Sequence, residues 1–287
     1  MFEINPKDTE TELVSVGVPV FNGEKTIEDA INTILQQSYQ NIEIIISDNS
    51  SNDGTELICR KLEKCHSRIR YVRQERNIGA LSNFNYVLEN SRGRFFMWAA
   101  SDDIWAPNFI ERNVDWLRSN PDYVGSITAA SNGGDVDPLK SGSTTIAGED
   151  AKERVIQFVL EKPGANARFY SLFRRDAFKG IRIDEFNYWA GDWSIMIILL
   201  LRGKLKCLDG DIGFKKNGDG SSSDTVGMMD CLRRSKWEYI FPYLFYSHLA
   251  LQATDWDFRC VLRLLKLNYS AAKGYLRDVR KRKRSLQ

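Results

Sequence analysis

Between residues 13 and 120 the chain alternates short β-branched or aromatic runs with stretches of helical period, and few folds accommodate that alternation. Residues 13–21 (LVSVGVPVF) are a Val-rich run containing Pro19 and followed by the turn formers Asn22-Gly23, as expected of a buried parallel strand entering a loop. Ile27, Ala30, Ile31, Ile34 and Leu35 then fall at i, i+3, i+4, i+7 and i+8, the apolar face of a helix. A second β-branched run at 42–46 ends in the turn-rich SDNSSNDG of 47–54. Asp53 and Glu56 have capping-box spacing, which predicts a second helix with Leu57, Ile58, Leu62 and Cys65 turned inward. A short strand at 70–73, a helix from about residue 79 carrying Leu81, Phe84 and Leu88, and a strand at 94–100 lead to Ser101-Asp102-Asp103. Pro107 suits the first turn of a further helix, whose buried stripe is Ile110, Val114 and Leu117.

This order predicts an α/β fold with a doubly wound sheet. Ligands of such sheets bind beyond the carboxyl ends of the strands. Asn22-Gly23, Asp48-Asn49, Arg76-Asn77 and Asp102-Asp103 all follow strands, so they should meet along one edge. The second half is less regular. It offers a strand at 123–130, a Gly/Ser/Thr-rich loop at 131–148, a helix at 150–160, a strand at 168–175, and YWAGDW at 188–193 opening an apolar helix to 201. A second Gly/Ser-rich loop at 215–227 precedes a helical, aromatic and finally basic stretch.

Composition removes several function classes. Five scattered cysteines without a CxxC pair indicate neither a disulfide framework nor a zinc ribbon, and fit a reducing, cytoplasmic setting. With only His66 and His248, a His-rich metal site or His-based triad is not expected. Cys65 reads as packing rather than as part of a Cys59/Cys65/His66 metal cluster. No secretory h-region stands at residues 1–8, and the strongest apolar run, 195–201, is too short to span a bilayer. The formal charge of +2 is uneven: residues 277–287 hold six bases against Asp278, leaving −3 for residues 1–276. The body therefore has no surplus for nucleic acid.

Adjacent Asp102 and Asp103 at a strand end repel each other unless solvated or bridged by a cation, which suits an all-oxygen Mg²⁺ or Mn²⁺ site shared with a diphosphate. The alternative is that one of them caps the Pro107 helix. Asp48 could accept the ring N–H of a pyrimidine or make an Asx-turn. Asp192 suits a general base beside an apolar helix, or an N-cap for a helix beginning at Trp193. Neither GxGxxG nor GxxxxGK[ST] follows the first strand, which disfavours dinucleotide oxidoreductases and P-loop kinases.

The segments VSVGVPVFNGEKTIEDAINTILQQSYQNIEIIISDNSSNDGT (14–55) and RNIGALSNFNYVLENSRGRFFMWAASDDIW (76–105), with GDW at 191–193, together resemble glycosyltransferase family 2, whose members have the GT-A fold. The resemblance implies a Rossmann-like, mixed but mostly parallel sheet flanked by helices. The implied domain spans 1–227, its nucleotide-binding half at about 12–120 and its acceptor half at 121–227, with a C-terminal helical region at 228–287. It further implies Pro19, Phe21, Glu24, Asp48, Asn77 and Asp102 as nucleotide contacts, Asp103 with Asp102 as metal ligands, and Asp192 as catalytic base. The implied activity is inverting transfer from a UDP-sugar to a glycan or lipid-linked acceptor with Mn²⁺ or Mg²⁺, in cell-surface polysaccharide synthesis. Two positions depart from the family pattern: Ala100, where many relatives carry an Asp, and Asn217, near where many carry a His. The basic run 277–284 would then touch the anionic inner face of the plasma membrane; the alternative is that Trp237, Tyr239, Phe241, Tyr243, Phe245 and Tyr246 pack a helix on the domain and the run serves solubility. A catalytically silent nucleotide-sugar-binding scaffold and a sugar-nucleotide pyrophosphorylase are the competing readings.

Overall fold

The computed structural model describes residues 12–132, 142–161, 166–210, 212–216, 232 and 235–285. The first half follows the expected alternation: β1 (Val14–Val20), α1 (Ile27–Leu35), β2 (Ile42–Asp48), α2 (Thr55–Cys65), β3 (Ile69–Arg73), α3 (Ala80–Glu89), β4 (Phe95–Trp98), β5 (Asp103–Trp105) and α4 (Phe109–Ser119). Then come β6 (Tyr123–Thr128), β7 (Ala130–Asn132), α5 (Ala151–Leu160), β8 (Leu172–Arg174), α6 (Gly191–Arg202), β9 (Lys204–Leu208), β10 (Phe214–Lys216), α7 (Leu244–Ala253) and α8 (Phe258–Ser285).

Seven strands form the central sheet in the order β3-β2-β1-β4-β8-β6-β9. All pairings are parallel except those of β8, which runs antiparallel to both β4 and β6. The sheet is thus mixed and mostly parallel, as expected. β1 is Val-rich and β2 Ile-rich, and both are buried along almost their whole length, as strands covered on both faces are. Ile27, Ala30, Ile31 and Ile34 bury the predicted face of α1, each isoleucine contributing about 1.5–3 kcal/mol of transfer free energy. Register aligns Val20 with Asp48 and Asp48 with Arg73, so the ends of β1, β2 and β3 lie level on one edge. Below the end of β4, Trp98 stacks on Phe169 at 4.5 Å and meets Phe96 and Phe178 edge-on, fixing where the chain leaves toward Asp102. A small second sheet, β5-β10-β7, pairs Asp103 with Lys216 and brings the second half of the chain against that exit.

Several local expectations fail for identifiable reasons. Asp53 makes no capping box with Glu56: its Oδ1 accepts from the Thr55 N–H at 3.0 Å and its Oδ2 from the Glu24 N–H at 3.1 Å. Glu56 turns instead to Arg60 and Arg73. On α2 the buried stripe is Thr55, Cys59 and Leu62, and Leu57 and Cys65 are exposed. Pro107 precedes α4 rather than lying within it. Residues 168–175 are not one strand, because a 3₁₀ turn (Ala167–Tyr170) comes before β8. No such failure concerns the basic run 277–284, which forms the last part of the long helix α8.

Candidate active site

The loop after β1 and the turn after β2 are stitched together by side chains that the turn-rich sequence supplies. The Asn22 N–H donates to Ser51 Oγ at 2.8 Å, Asn22 Oδ1 accepts from the Asn52 N–H at 2.9 Å, and the Gly23 N–H donates to Thr55 Oγ1 at 2.8 Å. Glu24 accepts from the Gly54 N–H at 3.0 Å, an approach open only because a Cβ on Gly54 would sit 2.8 Å from Glu24 Cδ. Pro19 is buried in β1 opposite Ser47, whereas Phe21, just past the strand, is 49% exposed. Next to this loop pair, Asn77 Oδ1 accepts from Asn49 Nδ2 at 3.0 Å and from the Gly79 N–H at 2.9 Å, and Asn49 Oδ1 takes the Ile78 N–H at 2.8 Å. The Asn49–Asn77 pair was not foreseen; the only hint in the sequence is that both residues follow strands.

Asp48 ends β2 as expected but has another occupation. Its side chain is fully buried, with Oδ2 accepting from the Tyr71 hydroxyl at 2.8 Å and Arg73 Nη1 at 3.0 Å, and Oδ1 from the Ser51 N–H at 2.8 Å. With protein donors on both oxygens, this carboxylate clamps β3 and the 49–55 turn to β2. Burial first, and then the hydrogen bond to Asp48, push the Tyr71 phenol well above its usual range.

Asp102 is half-buried and Asp103 only 3% exposed at the start of β5. Neither caps α4, whose N-cap is Asn108. Asp192 lies in the first turn of α6, which begins at Gly191 with Ala190 as N-cap, so Asp192 is not itself the cap. Gly191 is obligatory, since a Cβ there would lie 1.9 Å from the Phe186 carbonyl oxygen. Asn166 Nδ2 donates to Asp192 Oδ2 at 2.9 Å. The two carboxylate groups, separated by about ninety residues, come together around Tyr170. Burial, then Asp103, Asp192 and Asp102 in that order, push its phenol far upward. Asp192 also acts on Tyr243, whose phenol burial raises; Tyr243 stacks against Trp193 with centroids 5.7 Å apart.

Two adjacent carboxylates within a field this negative suit a hard divalent cation held through one or two carboxylates and completed by water and phosphate oxygens. Among the described residues no group of three His, Cys, Asp or Glu could hold an ion by protein ligands alone. Ala100 supplies no third acid, and Asn217 lies outside the described residues, as does most of the 215–227 loop. Cys59 is buried and Cys65 exposed, so they form no cluster. Asn166, Tyr170 and Tyr243 were not foreseen, because they lie where short strands and 3₁₀ turns leave no period to read.

The chain matches the family model of Glycosyl transferase family 2 over residues 15–182 and belongs to that family. It is 32% identical over 147 residues to the putative teichuronic acid biosynthesis glycosyltransferase TuaG of Bacillus subtilis, covering 50% of this chain and 58% of that protein. To the UDP-Glc:alpha-D-GlcNAc-diphosphoundecaprenol beta-1,3-glucosyltransferase WfgD of Escherichia coli it is 36% identical over 108 residues, covering 38% and 42%. An uncharacterized glycosyltransferase of Rickettsia conorii is 43% identical over 106 residues, covering 37% and 17%. The chain thus spans less than two thirds of the length of these relatives. Among solved structures, S. aureus TarS 1–349 superposes with a TM-score of 0.60 at 16% identity, covering 92% of this chain and 91% of that one. The mannosyltransferase PcManGT from Pyrobaculum calidifontis, solved with GDP-Man and Mn²⁺, gives 0.53 at 17% identity, covering 95% and 77%. The fold shared with these neighbours is the GT-A fold implied by the resemblance.

Proposed function

We propose that this chain transfers a sugar from a UDP-sugar to a hydroxyl of a glycan or lipid-linked acceptor, inverting the anomeric carbon. The gathering of Asp102, Asp103 and Asp192 around Tyr170 at the carboxyl edge of the sheet carries this reading. Pro19, Phe21, Glu24, Asn77 and Asp102 line the nucleotide side, with the exposed Phe21 ring offering a face to the base and Asp48 fixing the turn beneath. Asp192 takes the proton from the acceptor hydroxyl as that oxygen bonds to the anomeric carbon and the bond to the diphosphate oxygen breaks on the opposite face. Asn166 holds the carboxylate oriented for that step. Asp102 and Asp103 would hold Mn²⁺ or Mg²⁺, which when bound offsets negative charge on the departing diphosphate.

The relatives' names supply the substrate class. WfgD's names a UDP-Glc donor and a diphosphoundecaprenol acceptor, TuaG's names teichuronic acid biosynthesis, and TarS was solved with UDP-GlcNAc. By this analogy we assign the chain to cell-surface polysaccharide synthesis at the inner face of the membrane, with 277–284 toward anionic lipid.

Asp192→Asn tests the assignment: UDP binding should persist and transfer should disappear, and transfer at near the wild-type rate would remove Asp192 as the base. Metal-dependent hydrolysis of a UDP-sugar without acceptor separates an enzyme from a silent nucleotide-sugar-binding scaffold.

A further inference from the structure

Helix α8 presents two unlike faces. Cys260, Leu264, Asn268 and Tyr275 are buried on the side packed against α5 and α7. On another flank Phe258, Leu262, Leu265, Tyr269 and Leu276 are each more than half exposed. Their spacing of four, three, four and seven residues keeps them on one strip. Arg259, Lys266, Lys273 and Arg277 are exposed and, by helical period, run beside that strip. Over its 28 residues the helix carries ten bases and one acid, Asp278. Exposed Trp256 stands two residues before the strip, and exposed Tyr239 contacts Tyr275 with ring centroids 5.6 Å apart.

From this geometry we propose that the exposed flank of α8, from Phe258 to Leu276, is a docking surface for an anionic lipid bilayer, lying in its plane. The charge pattern selects that occupant. A second copy laid strip to strip would bring two strongly basic helices side by side, with one acid each to offset the repulsion. A bilayer surface answers both features at once: apolar and aromatic side chains enter the boundary between headgroups and acyl chains while the bases meet lipid phosphates, each adding about 1 kcal/mol. No helix among the described residues is long and apolar enough to cross a membrane, which agrees with a surface contact. The docking element therefore begins well before the basic run 277–284, and the terminal bases extend it.

The inner side of the same helix is linked to the neighbour of the candidate base through Tyr243. Asn268 Oδ1 accepts from the Tyr243 N–H at 2.9 Å, and Asn268 Nδ2 donates to Ser247 Oγ at 3.0 Å. Tyr243 stacks on Trp193, the neighbour of Asp192. A bilayer on the outer flank of α8 thus lies one helix away from Tyr243 and Trp193 beside the proposed base, and the acceptor class that fits is a sugar carried on a lipid of that bilayer. This last step rests on the proposed transferase activity; the docking does not.

The test is sedimentation of the full chain with vesicles of phosphatidylcholine alone or with 30% phosphatidylglycerol, at near-physiological salt. The wild type should bind the anionic vesicles and not the neutral ones. Leu262→Glu/Leu265→Glu, at exposed positions, should lower the bound fraction at least tenfold with an unchanged Tm and unchanged hydrolysis of soluble UDP-sugar. Equal binding to both vesicle types, or undiminished binding by the double variant, overturns the proposal. So does a wild-type dimer in light scattering that the double variant dissociates, since a second copy would then cover the strip. Vesicle binding without any UDP-sugar turnover supports the docking surface and counts against the transferase reading alone.

Discussion

Asn166 donates from Nδ2 to Asp192 Oδ2 at 2.9 Å, joining the residue before a 3₁₀ turn to the first turn of α6. Among the described residues no partner meets Asn166 Oδ1, so this amide is committed to the carboxylate through its donor end. In the proposed reaction it is a positioning residue, holding one oxygen of Asp192 so that the other faces the acceptor. Asn166→Ala should lower kcat roughly ten- to a hundredfold, the scale of a misplaced catalytic group, while leaving the Kd for UDP as it was. Steady-state rates beside UDP titrations check this; a loss of UDP affinity at unchanged kcat would assign the pair to architecture alone.

Asp48 yields a prediction about stability. Removing its carboxylate leaves the Ser51 N–H unpaired, takes one partner from the Tyr71 hydroxyl and leaves Arg73 without its buried partner. Asp48→Ala should therefore cost about 3 kcal/mol, the low end for a broken buried pair because Arg73 is partly exposed and water can reach it. Tyr71→Phe, which removes one donor and keeps the charge pair, should cost about 1 kcal/mol. Urea unfolding of the two variants separates these roles, and equal losses would mean that the hydroxyl rather than the ion pair holds the clamp.

The first half of the fold was legible because its period and punctuation agree: Val/Ile runs, one-sided helices, and turn formers at each strand end. The same consistency placed Asp48 at the end of β2 and Asp102-Asp103 just beyond β4, on the edge where the strands of the first half end. Contacts decided by competition among neighbours were not legible. Asp53 met the Thr55 and Glu24 N–H groups rather than closing a box with Glu56, and the α2 stripe follows Thr55, Cys59 and Leu62 rather than the more apolar Leu57. In the second half, Asn166, Tyr170 and Tyr243 reach the site through 3₁₀ turns and helix packing that leave no pattern in sequence. In the basic run at the end of the chain, Lys and Arg are good helix formers and α8 continues through it.

Burial, with the negative charges of Asp48, Asp53 and Glu63, pushes the Cys59 thiol from 9.0 to about 12. The folded state thus disfavours the thiolate more than the unfolded chain does. That contribution to stability is complete below pH 9.0 and is lost as pH rises toward about 12. The raised Tyr71 phenol acts in the same direction from pH 10.0 upward. The denaturant midpoint should stay level up to about pH 9 and then fall, with a shallower fall in Cys59→Ala. Under native conditions at pH 8, a thiol reagent should modify exposed Cys65 and spare buried Cys59 and Cys260, which mass spectrometry of the labelled peptides reads directly.

On the proposed assignment, the acid pair would make nucleotide affinity depend on a divalent cation. At the proposed site a diphosphate without a cation would face the charges of Asp102, Asp103 and Asp192, which already raise the Tyr170 phenol. Asp102 and Asp103 would hold a divalent cation, which when bound would offset that repulsion. UDP should accordingly bind at least tenfold more tightly in Mn²⁺ than in chelator. Asp103→Asn should abolish most of that difference by weakening the Mn²⁺ value, while its affinity in chelator matches or slightly exceeds that of the wild type because one repelling charge is gone. Calorimetric titration of UDP into both proteins, with and without Mn²⁺, gives all four affinities. An Asp103→Asn variant that keeps the full Mn²⁺ enhancement would move the ion away from this residue, and a wild type indifferent to Mn²⁺ would mean that the missing acid at Ala100 has left the pair unable to recruit it.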